Sequence, residues 1–287
     1  MHGVAQTYGA ITFVNALPTG VGAAAAIQLS VHVRATLDPG TAGTVHVVRG
    51  TSTPLVERSA LAAAQRYLDS PTSVRLEVDS EVPVAQGLKS SSAVSSAVIG
   101  AVAQAAGSRP DPREVARLSA DVCQQVGVSA TGAFDDAFAS VAGGAAVTDN
   151  TVRNVLRRLE VPAGLTVVLW SPGTPHAPSP LAHARFRTLA REGQSVVDAI
   201  LSGNPFEAMR RNTLLVEQAM GYRYGDLREA AEAAGAIASG VSGLGPTLAV
   251  VAPEEVSGRV RSSLLSAGGS LRTVPFQGPR ETPGGEP

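Results

Sequence analysis

A glycine turn, one lysine and three serines stand together between a strand-like run at residues 74–78 and an alanine- and valine-rich helical run at about 92–106. The segment reads Pro83-Val84-Ala85-Gln86-Gly87-Leu88-Lys89-Ser90-Ser91-Ser92-Ala93. The first turn of a helix has backbone N–H groups without intrahelical acceptors and carries partial positive charge. Such a helix start binds phosphate. The alternative is an ordinary helix N-cap, because serine is common at that position.

Lys89 helps to distinguish a phosphate-binding loop from an ordinary helix N-cap. The sequence contains 23 lysines and arginines, and Lys89 is the only lysine among them. A compact ammonium group can act as a point charge for phosphate where a planar guanidinium would not fit. Although one lysine could fall anywhere by chance, its position favours a phosphate- or nucleotide-binding loop.

An adjacent acidic pair, Asp135-Asp136, is the second candidate for chemistry. Its neighbours are small or apolar: Ala133, Phe134 and Ala137. Carboxylates in apolar surroundings are costly to bury unless they have partners or protons. One acid could act as a base or orient a substrate hydroxyl, while the other helps with a metal or with structure. A helix cap is the alternative, since Asp caps helices well.

Two glycine segments are further candidates. Ser242-Gly243-Leu244-Gly245-Pro246-Thr247 allows backbone to approach a ligand or another loop closely, although a hairpin turn explains it equally well. The segment Gly20-Val21-Gly22-Ala23-Ala24-Ala25 fits the dinucleotide pattern G-x-G-x-x-A, with Asp38 eighteen residues beyond Gly20. This keeps an NAD-binding oxidoreductase open as an alternative. A crossover helix has little room there, because a strand pattern resumes by Ile27.

Composition excludes several other classes. A net charge of −1, a pI near 6.5 and the absence of a basic run argue against a nucleic-acid-binding protein. The sequence has no Walker A motif, no paired cysteines or H-E-x-x-H for zinc, and no G-x-S-x-G. No apolar run is long enough for a membrane span, and the first residues lack a signal-peptide pattern. With one cysteine, Cys123, these features predict a cytoplasmic protein.

The pattern of strands and helices predicts an α+β fold with two layers. Strands are expected at 4–17, 27–36, 44–49, 74–78, 143–148, 165–171, on both sides of a turn within 237–251, and at 271–277. Helices are expected at 55–68, 92–106, 111–126, 226–234, 254–267 and, as two runs, within 181–220. A proline-rich loop lies at 171–180. We expect an N-terminal domain at 1–155, a C-terminal domain at 156–277 and a disordered Gly/Pro/Glu-rich tail at 278–287.

With these motifs in this order, the chain resembles the GHMP kinases, named for galacto-, homoserine, mevalonate and phosphomevalonate kinases. Their signature P-x-x-x-G-L-[GS]-S-S-[AG]-[AS] is matched by residues 83–93, with Lys89 where many members have Gly or Ser. Gly-Leu-Lys-Ser-Ser-Ser-Ala is similar to the archaeal-type shikimate kinase subgroup. Residues 9–22 and 131–137 resemble that subgroup's other motifs, and residues 242–247 are similar to the family's third glycine motif. No lysine precedes Asn15, unlike in the wider family.

The resemblance implies a GHMP kinase fold, with an S5-like N-terminal domain, a ferredoxin-like C-terminal domain, and ATP and a small-molecule substrate between them. It implies an enzyme of aromatic amino acid biosynthesis that uses ATP and Mg²⁺ to phosphorylate the 3-hydroxyl of shikimate. An alternative within the family is a kinase of another small hydroxy acid or polyol, such as homoserine or an aminoshikimate-like compound. A non-catalytic member of the fold is a further alternative.

The resemblance also assigns roles to residues. Residues 83–93 would bind ATP, Lys89 would neutralise phosphate charge, and the Ser91 hydroxyl would bind Mg²⁺. Asp135 would receive or orient the substrate proton with support from Asp136, and Asn15 and Thr19 would lie near the substrate. Because shikimate carries a carboxylate, an arginine is expected to bind it, without any indication of which one.

Overall fold

The computed structural model describes residues 1–39, 43–172 and 180–280, and these form two antiparallel-rich sheets with helices packed on them. The strands are β1 (His2–Val14), β2 (Val21–Pro39), β3 (Val45–Arg49), β4 (Thr72–Ser80), β5 (Ala145–Asp149), β6 (Asn154–Leu159), β7 (Leu165–Ser171), β8 (Ala238–Val241), β9 (Leu248–Pro253) and β10 (Ser270–Pro275). The helices are α1 (Pro54–Tyr67), α2 (Ser90–Ala105), α3 (Pro112–Gln125), α4 (Phe134–Ala142), α5 (Pro180–Thr188), α6 (Ala190–Leu201), α7 (Pro205–Met220), α8 (Gly225–Ala233) and α9 (Ser257–Ser263), with short 3₁₀ turns at Glu254–Val256 and Leu265–Ala267.

The long strand β2 organises the N-terminal sheet, whose order is β3-β4-β2-β5-β6 with β1 also paired to β2. Residues 31–39 of β2 pair with β4, and residues 21–25 pair with β5. β1 pairs antiparallel along most of β2. β3 is parallel to β4, so α1 forms the connection between them. This arrangement brings the start of β2 beside the end of β5.

Small residues let α2 lie unusually close to this sheet. A Cβ atom built at Gly3 of β1 would stand 2.3 Å from the Ala101 carbonyl oxygen. Thr7 Oγ1 donates a hydrogen bond of 2.8 Å to the Ala93 carbonyl. Most of the helix is buried, which explains its continuous alanine and valine composition. The contact with β1 fixes where the first turn of α2 points.

The C-terminal sheet has the order β10-β7-β9-β8 and is antiparallel throughout. Helix α7 packs on β8, where a Cβ at Gly240 would stand 2.7 Å from Met209 Cγ. After β10 the chain returns to the first sheet. Gln277 N–H donates to the Ala26 carbonyl (2.8 Å), and Gly144 N–H donates to the Gln277 carbonyl (2.9 Å). The chain end therefore joins the two sheets.

Several elements differ from the sequence-based expectations. The exposed strand β6 was not predicted, and the expected domain boundary at 155/156 falls inside it. Three helices, not two, occupy the described part of 180–220. The tail expected to be disordered begins at residue 278, yet the backbone N–H of Arg280 donates to the Ala142 carbonyl at 2.8 Å. Residues 281–287 and most of the proline-rich loop, 173–179, lie outside the described residues.

The dinucleotide-binding interpretation of residues 20–25 is wrong. Val21 begins β2, and the strand continues without a helix to Pro39. Residues 21–25 pair with β5, so this alanine-rich segment is the buried start of a strand. Among the described helices, none is both long and apolar enough to cross a membrane.

Candidate active site

A cavity of about 710 Å³ lies where the first turn of α2, the first turn of α4 and the turn between β8 and β9 meet. The end of β1 and the loop between α3 and α4 complete its walls. Its volume is in the range of pockets that enclose a small ligand. Three of the four segments singled out in the sequence thus line one cavity.

The serine loop lines this cavity with Ala85, Gly87, Lys89 and the three serines 90–92. Helix α2 begins at Ser90, and Lys89 at its N-cap position has left-handed backbone angles (φ 69°) and provides no side-chain cap. Helix geometry leaves the N–H groups of residues 90–92 without intrahelical acceptors. The arrangement therefore presents amide donors and serine hydroxyls to the cavity, as expected for a phosphate site.

The other residues of the predicted ATP loop do not line the cavity and lie in the core, at the surface or against β7. Leu88 and Ala93 are buried in the core, whereas Val84 is exposed. Gln86 accepts a hydrogen bond from Ser171, at the end of β7. Pro83 begins the turn and is exposed.

The turn between β8 and β9 packs directly on the serine loop. Gly87 has φ 74°, and a Cβ there would stand 2.1 Å from the Ser242 carbonyl oxygen. Ser242 Oγ in turn donates to the Gly87 carbonyl (2.8 Å), and Gly243 N–H donates to Thr12 Oγ1 (2.8 Å). Glycine is needed at position 87 because of both its backbone angle and this close approach. The glycine segment 242–247 is a strand-connecting turn that also supports the loop.

Two stacked tyrosines hold this turn. The ring centroids of Tyr222 and Tyr224 are 5.1 Å apart and nearly parallel. Tyr222 donates to the Leu244 carbonyl (2.8 Å), and Tyr224 donates to the Pro246 carbonyl (3.0 Å). Burial raises the pKa of both phenols, so both hydroxyls stay protonated as donors at neutral pH.

Lys89 and Asp136 form an ion pair at the cavity wall, with Nζ 3.0 Å from Oδ1. Both side chains are largely buried. Burial raises the pKa of the Asp136 carboxyl, the negative charge of Asp135 raises it further, and Lys89 opposes the increase. The only lysine therefore joins the serine loop to the acidic pair.

Asp135 is held by a separate set of contacts. Its Oδ1 accepts a hydrogen bond of 2.7 Å from Asn150 Nδ2, and its backbone N–H donates to Asn150 Oδ1 (3.1 Å). A Cβ at Gly22 would stand 2.3 Å from Asp135 Oδ2, so a side chain at this position would displace the carboxylate. Asp135 is buried but lines the cavity. The two adjacent acids consequently differ in their partners: an amide for one and an ammonium for the other.

The two predicted substrate residues differ in location. Asn15 lines the cavity, but its side chain is already engaged: Nδ2 donates to the Gly243 carbonyl (3.1 Å) and Oδ1 accepts from Leu17 N–H (2.9 Å). Thr19 is not among the lining residues. Its hydroxyl bonds the backbone of Val21 instead. Asn15 thus helps to join the glycine turn to β1, and Thr19 shapes the loop before β2.

No arginine lines the cavity in the part of the chain that the structure describes, and Lys89 is the one cationic lining residue there. The expected arginine for a substrate carboxylate is therefore missing from the described walls. The described residues also contain no group of three or more His, Cys, Asp or Glu side chains suited to a metal ion.

Three features of the site were not predicted from the sequence: Asn150, Gly22 as a neighbour of Asp135, and the loop 127–130. Asn150 follows a strand in the segment Asp149-Asn150-Thr151, which is typical of a turn. Only the pairing of β2 with β5 brings this turn next to Asp135. No spacing rule in the sequence connects these residues.

Comparison with known proteins agrees with this geometry. The pattern of the GHMP kinases N terminal domain matches residues 54–144, which include the serine loop and the acidic pair. A shikimate kinase of Methanothrix thermoacetophila is 35% identical over 272 residues, covering 94% of this chain and 92% of that protein. One from Halobacterium salinarum is 32% identical over 289 residues, covering 98% and 100%.

The chain belongs to the GHMP kinases.

Solved structures of this family share the fold at low identity. The mevalonate kinase of Methanococcus jannaschii superposes with a TM-score of 0.75 at 13% identity, covering 96% of this chain and 98% of that one. The galactokinase of Lactococcus lactis complexed with galactose gives 0.76 at 14% identity, covering 97% and 94%. The predicted GHMP kinase fold is thereby confirmed. As a GHMP kinase, the protein is an ATP-dependent kinase of a small molecule.

Proposed function

We propose that this GHMP kinase transfers the γ-phosphoryl group of ATP to the 3-hydroxyl of shikimate, in the cytoplasm and on the route to aromatic amino acids. The observation that carries the proposal is the single cavity shared by the first turn of α2 and by Asp135. A phosphate-binding helix start and a carboxylate are the two parts that phosphoryl transfer to an alcohol needs. The archaeal relatives named shikimate kinase supply the choice of acceptor.

The nucleotide's phosphates would lie at the first turn of α2. Residues 90–92 line the cavity, and their free N–H groups together with the hydroxyls of Ser90 and Ser92 would donate to phosphate oxygens. Mg²⁺ is usually bound by one or two protein oxygens together with substrate phosphates, not by a complete protein cage. The Ser91 hydroxyl fits that role, and the absence of a larger acidic cluster among the described residues is compatible with it. The metal would supply charge neutralisation on the transferring phosphate.

Asp135 would receive or orient the proton of the acceptor hydroxyl. Its carboxylate lines the cavity and is fixed in position by Asn150, so little reorganisation is needed when the hydroxyl binds. Asp136 would have a different task, because its Oδ1 is paired with the Lys89 ammonium. Lys89 would lie between this carboxylate and the phosphates, and would balance negative charge on both sides.

A second acceptor class is a specific alternative because two carboxylates, Asp135 and Asp136, line the cavity, whereas the lack of an arginine in its described walls bears equally on every acceptor that carries a carboxylate. Homoserine carries an ammonium group beside its carboxylate, and the acidic pair could attract that cation. A kinase of such a hydroxy acid would use the same phosphate loop and the same Asp135.

The test is phosphoryl transfer by the purified protein with Mg²⁺–ATP and either shikimate or homoserine. ³¹P and ¹H NMR of the product identify the phosphorylated hydroxyl. We expect shikimate 3-phosphate with the wild-type protein and at least a hundredfold lower turnover with Asp135→Asn, since one charge-stabilising contact is commonly worth about 3–4 kcal/mol of barrier. Transfer to homoserine but not to shikimate would mean that homoserine is the acceptor and that the proposed mechanism still applies. Full turnover by folded Asp135→Asn would overturn the role of Asp135.

A further inference from the structure

Asn150 contacts Asp135 with both ends of its amide group, and Asn150 was not among the site residues expected from the sequence. Nδ2 donates to the Asp135 carboxylate at 2.7 Å, and Oδ1 accepts from the Asp135 backbone N–H at 3.1 Å. Asn150 is 4% exposed and is not among the residues that line the cavity. It therefore acts on Asp135 and not on a substrate.

The orientation of this amide is determined by its neighbours. Thr148 Oγ1 donates to Asn150 Oδ1 at 2.8 Å, so the oxygen receives two hydrogen bonds, one from a hydroxyl and one from a backbone N–H. A flipped amide would place NH₂ against that N–H donor and an oxygen against the carboxylate. The NH₂ group must consequently face Asp135. Asn150 N–H also donates to the Gly20 carbonyl (2.8 Å), which fixes the residue relative to the start of β2.

Asp135 is enclosed from the opposite side as well. Its Oδ2 lies against Gly22 so closely that a Cβ would stand 2.3 Å away. One carboxylate oxygen is thus bonded to the amide and the other is confined by backbone. This contact requires the end of β5 to lie beside the start of β2, which the strand pairing provides.

We propose that Asn150 is a positioning residue for the phosphoryl-transfer reaction: its amide, oriented by Thr148, sets the angle at which the Asp135 carboxylate faces the acceptor hydroxyl. This inference rests on the proposed function, in which Asp135 handles the hydroxyl proton. A misplacement of about 1 Å at such a group can cost about a hundredfold in rate.

The alternative explanation is that Asn150 only caps α4. Ala133, at the N-cap position of α4, provides no side-chain cap. Asn150, which lies outside the helix, accepts a hydrogen bond through Oδ1 from the second N–H of the helix, that of Asp135. The variant Asn150→Asp separates the two roles. A carboxylate keeps the acceptor that caps the helix, since Asp caps as well as Asn. It lacks the NH₂ donor and places a like charge against Asp135.

The experiment compares kcat, KM for ATP and thermal unfolding for the wild-type protein, Asn150→Asp and the matched control Asn204→Asp. Asn204 is an exposed residue at the start of α7 whose side chain makes no capping bond. We expect Asn150→Asp to lower kcat about 10- to 100-fold with KM for ATP within twofold of wild type. The control should leave kcat unchanged. Wild-type kcat in folded Asn150→Asp would overturn the proposal.

If Asn150→Asp does not fold, the variant Thr148→Val tests whether Asn150 positions Asp135. It removes the hydroxyl that orients the amide and leaves Asn150 in place, so we expect a smaller loss of kcat, about three- to tenfold, again without a change in KM for ATP. Folded Thr148→Val with wild-type kcat would then refute the inference. The wild-type protein is assayed first with shikimate and homoserine. If it uses homoserine only, the acceptor proposal fails, and the Asn150 comparison is made with homoserine. If the wild-type protein transfers phosphate to neither shikimate nor homoserine, both the proposed function and the inference about Asn150 are overturned.

Discussion

Lys89 Nζ lies 3.0 Å from Asp136 Oδ1, and with 9% and 12% of their side chains exposed the two groups form a buried ion pair. The pair joins the first turn of α2 to the first turn of α4, and so joins the phosphate loop to the acidic motif. Lys89 adopts φ 69°, a conformation that favours glycine. The ion pair gives a reason for a lysine at a backbone position better suited to glycine.

Removing the cation from this pair should destabilise the protein strongly. Lys89→Met leaves Asp136 buried without its partner, and breaking a buried pair from one side typically costs about 3–5 kcal/mol. We expect the free energy of unfolding, measured by urea denaturation near pH 8, to fall by about that amount. The double variant Lys89→Met/Asp136→Asn should recover much of the loss, because no uncompensated charge remains. Equal stability of the wild-type protein and Lys89→Met would contradict the ion-pair assignment.

The stability of the protein should depend on pH through Asp136. Burial and the neighbouring Asp135 charge raise the pKa of Asp136 from 3.8 to about 7. Between these values the folded protein holds a proton that the unfolded chain has released. The contribution of Asp136 to the free energy of unfolding therefore decreases as pH rises through this window.

Urea denaturation of the wild-type protein and Asp136→Asn near pH 5 and pH 8 measures this effect. The difference, wild type minus variant, isolates the titration of this one carboxyl from that of all other groups. We expect that difference to be smaller at the higher pH. A difference that stays constant, or that increases with pH, would show that Asp136 is ionised in the folded protein throughout.

The serine loop and the acidic pair could be identified from the sequence because each is a continuous segment with its own local chemistry. The helix expected from composition at about 92–106 is present as α2, which begins two residues earlier, at Ser90. Helix α4, which carries the acidic pair, was not among the expected helices. Asn150 could not be found in this way, since its role depends on β5 pairing with β2 across more than a hundred residues.

The errors in the fold have the same origin. The segment 21–25 resembles a glycine-rich nucleotide turn locally, but pairing with β5 makes it part of a strand. Strand β6 is mostly exposed and includes two arginines, so its composition gives little strand signal, and hydrogen bonding to β5 determines its structure. Long-range pairing, which single-sequence patterns do not contain, decides each of these cases.

Gly22→Ala should impair catalysis without greatly changing nucleotide binding. The new methyl group would stand 2.3 Å from Asp135 Oδ2, so the carboxylate must move. We expect kcat to fall at least tenfold while KM for ATP stays near the wild-type value. The control is Gly258→Ala in α9, where no atom lies within 4 Å of the new methyl group and alanine favours the helix. Wild-type kcat in folded Gly22→Ala would show that Asp135 tolerates displacement.

Gly87→Ala should instead weaken nucleotide binding. Its backbone has φ 74°, and the added methyl group would stand 2.1 Å from the Ser242 carbonyl oxygen, a backbone atom that cannot rotate away. Either the serine loop or the β8–β9 turn must shift, which displaces the N–H groups of residues 90–92. We expect the Kd for Mg²⁺–ATP, measured by isothermal titration calorimetry, to rise at least tenfold.

Gly127→Ala is the matched control: its φ of 74° imposes the same backbone strain, but its methyl group would meet no atom within 4 Å. Because Gly127 itself lines the cavity on the α3–α4 side, a comparable rise in Kd for both variants would show that backbone strain at the rim, and not the contact between Gly87 and Ser242, controls affinity.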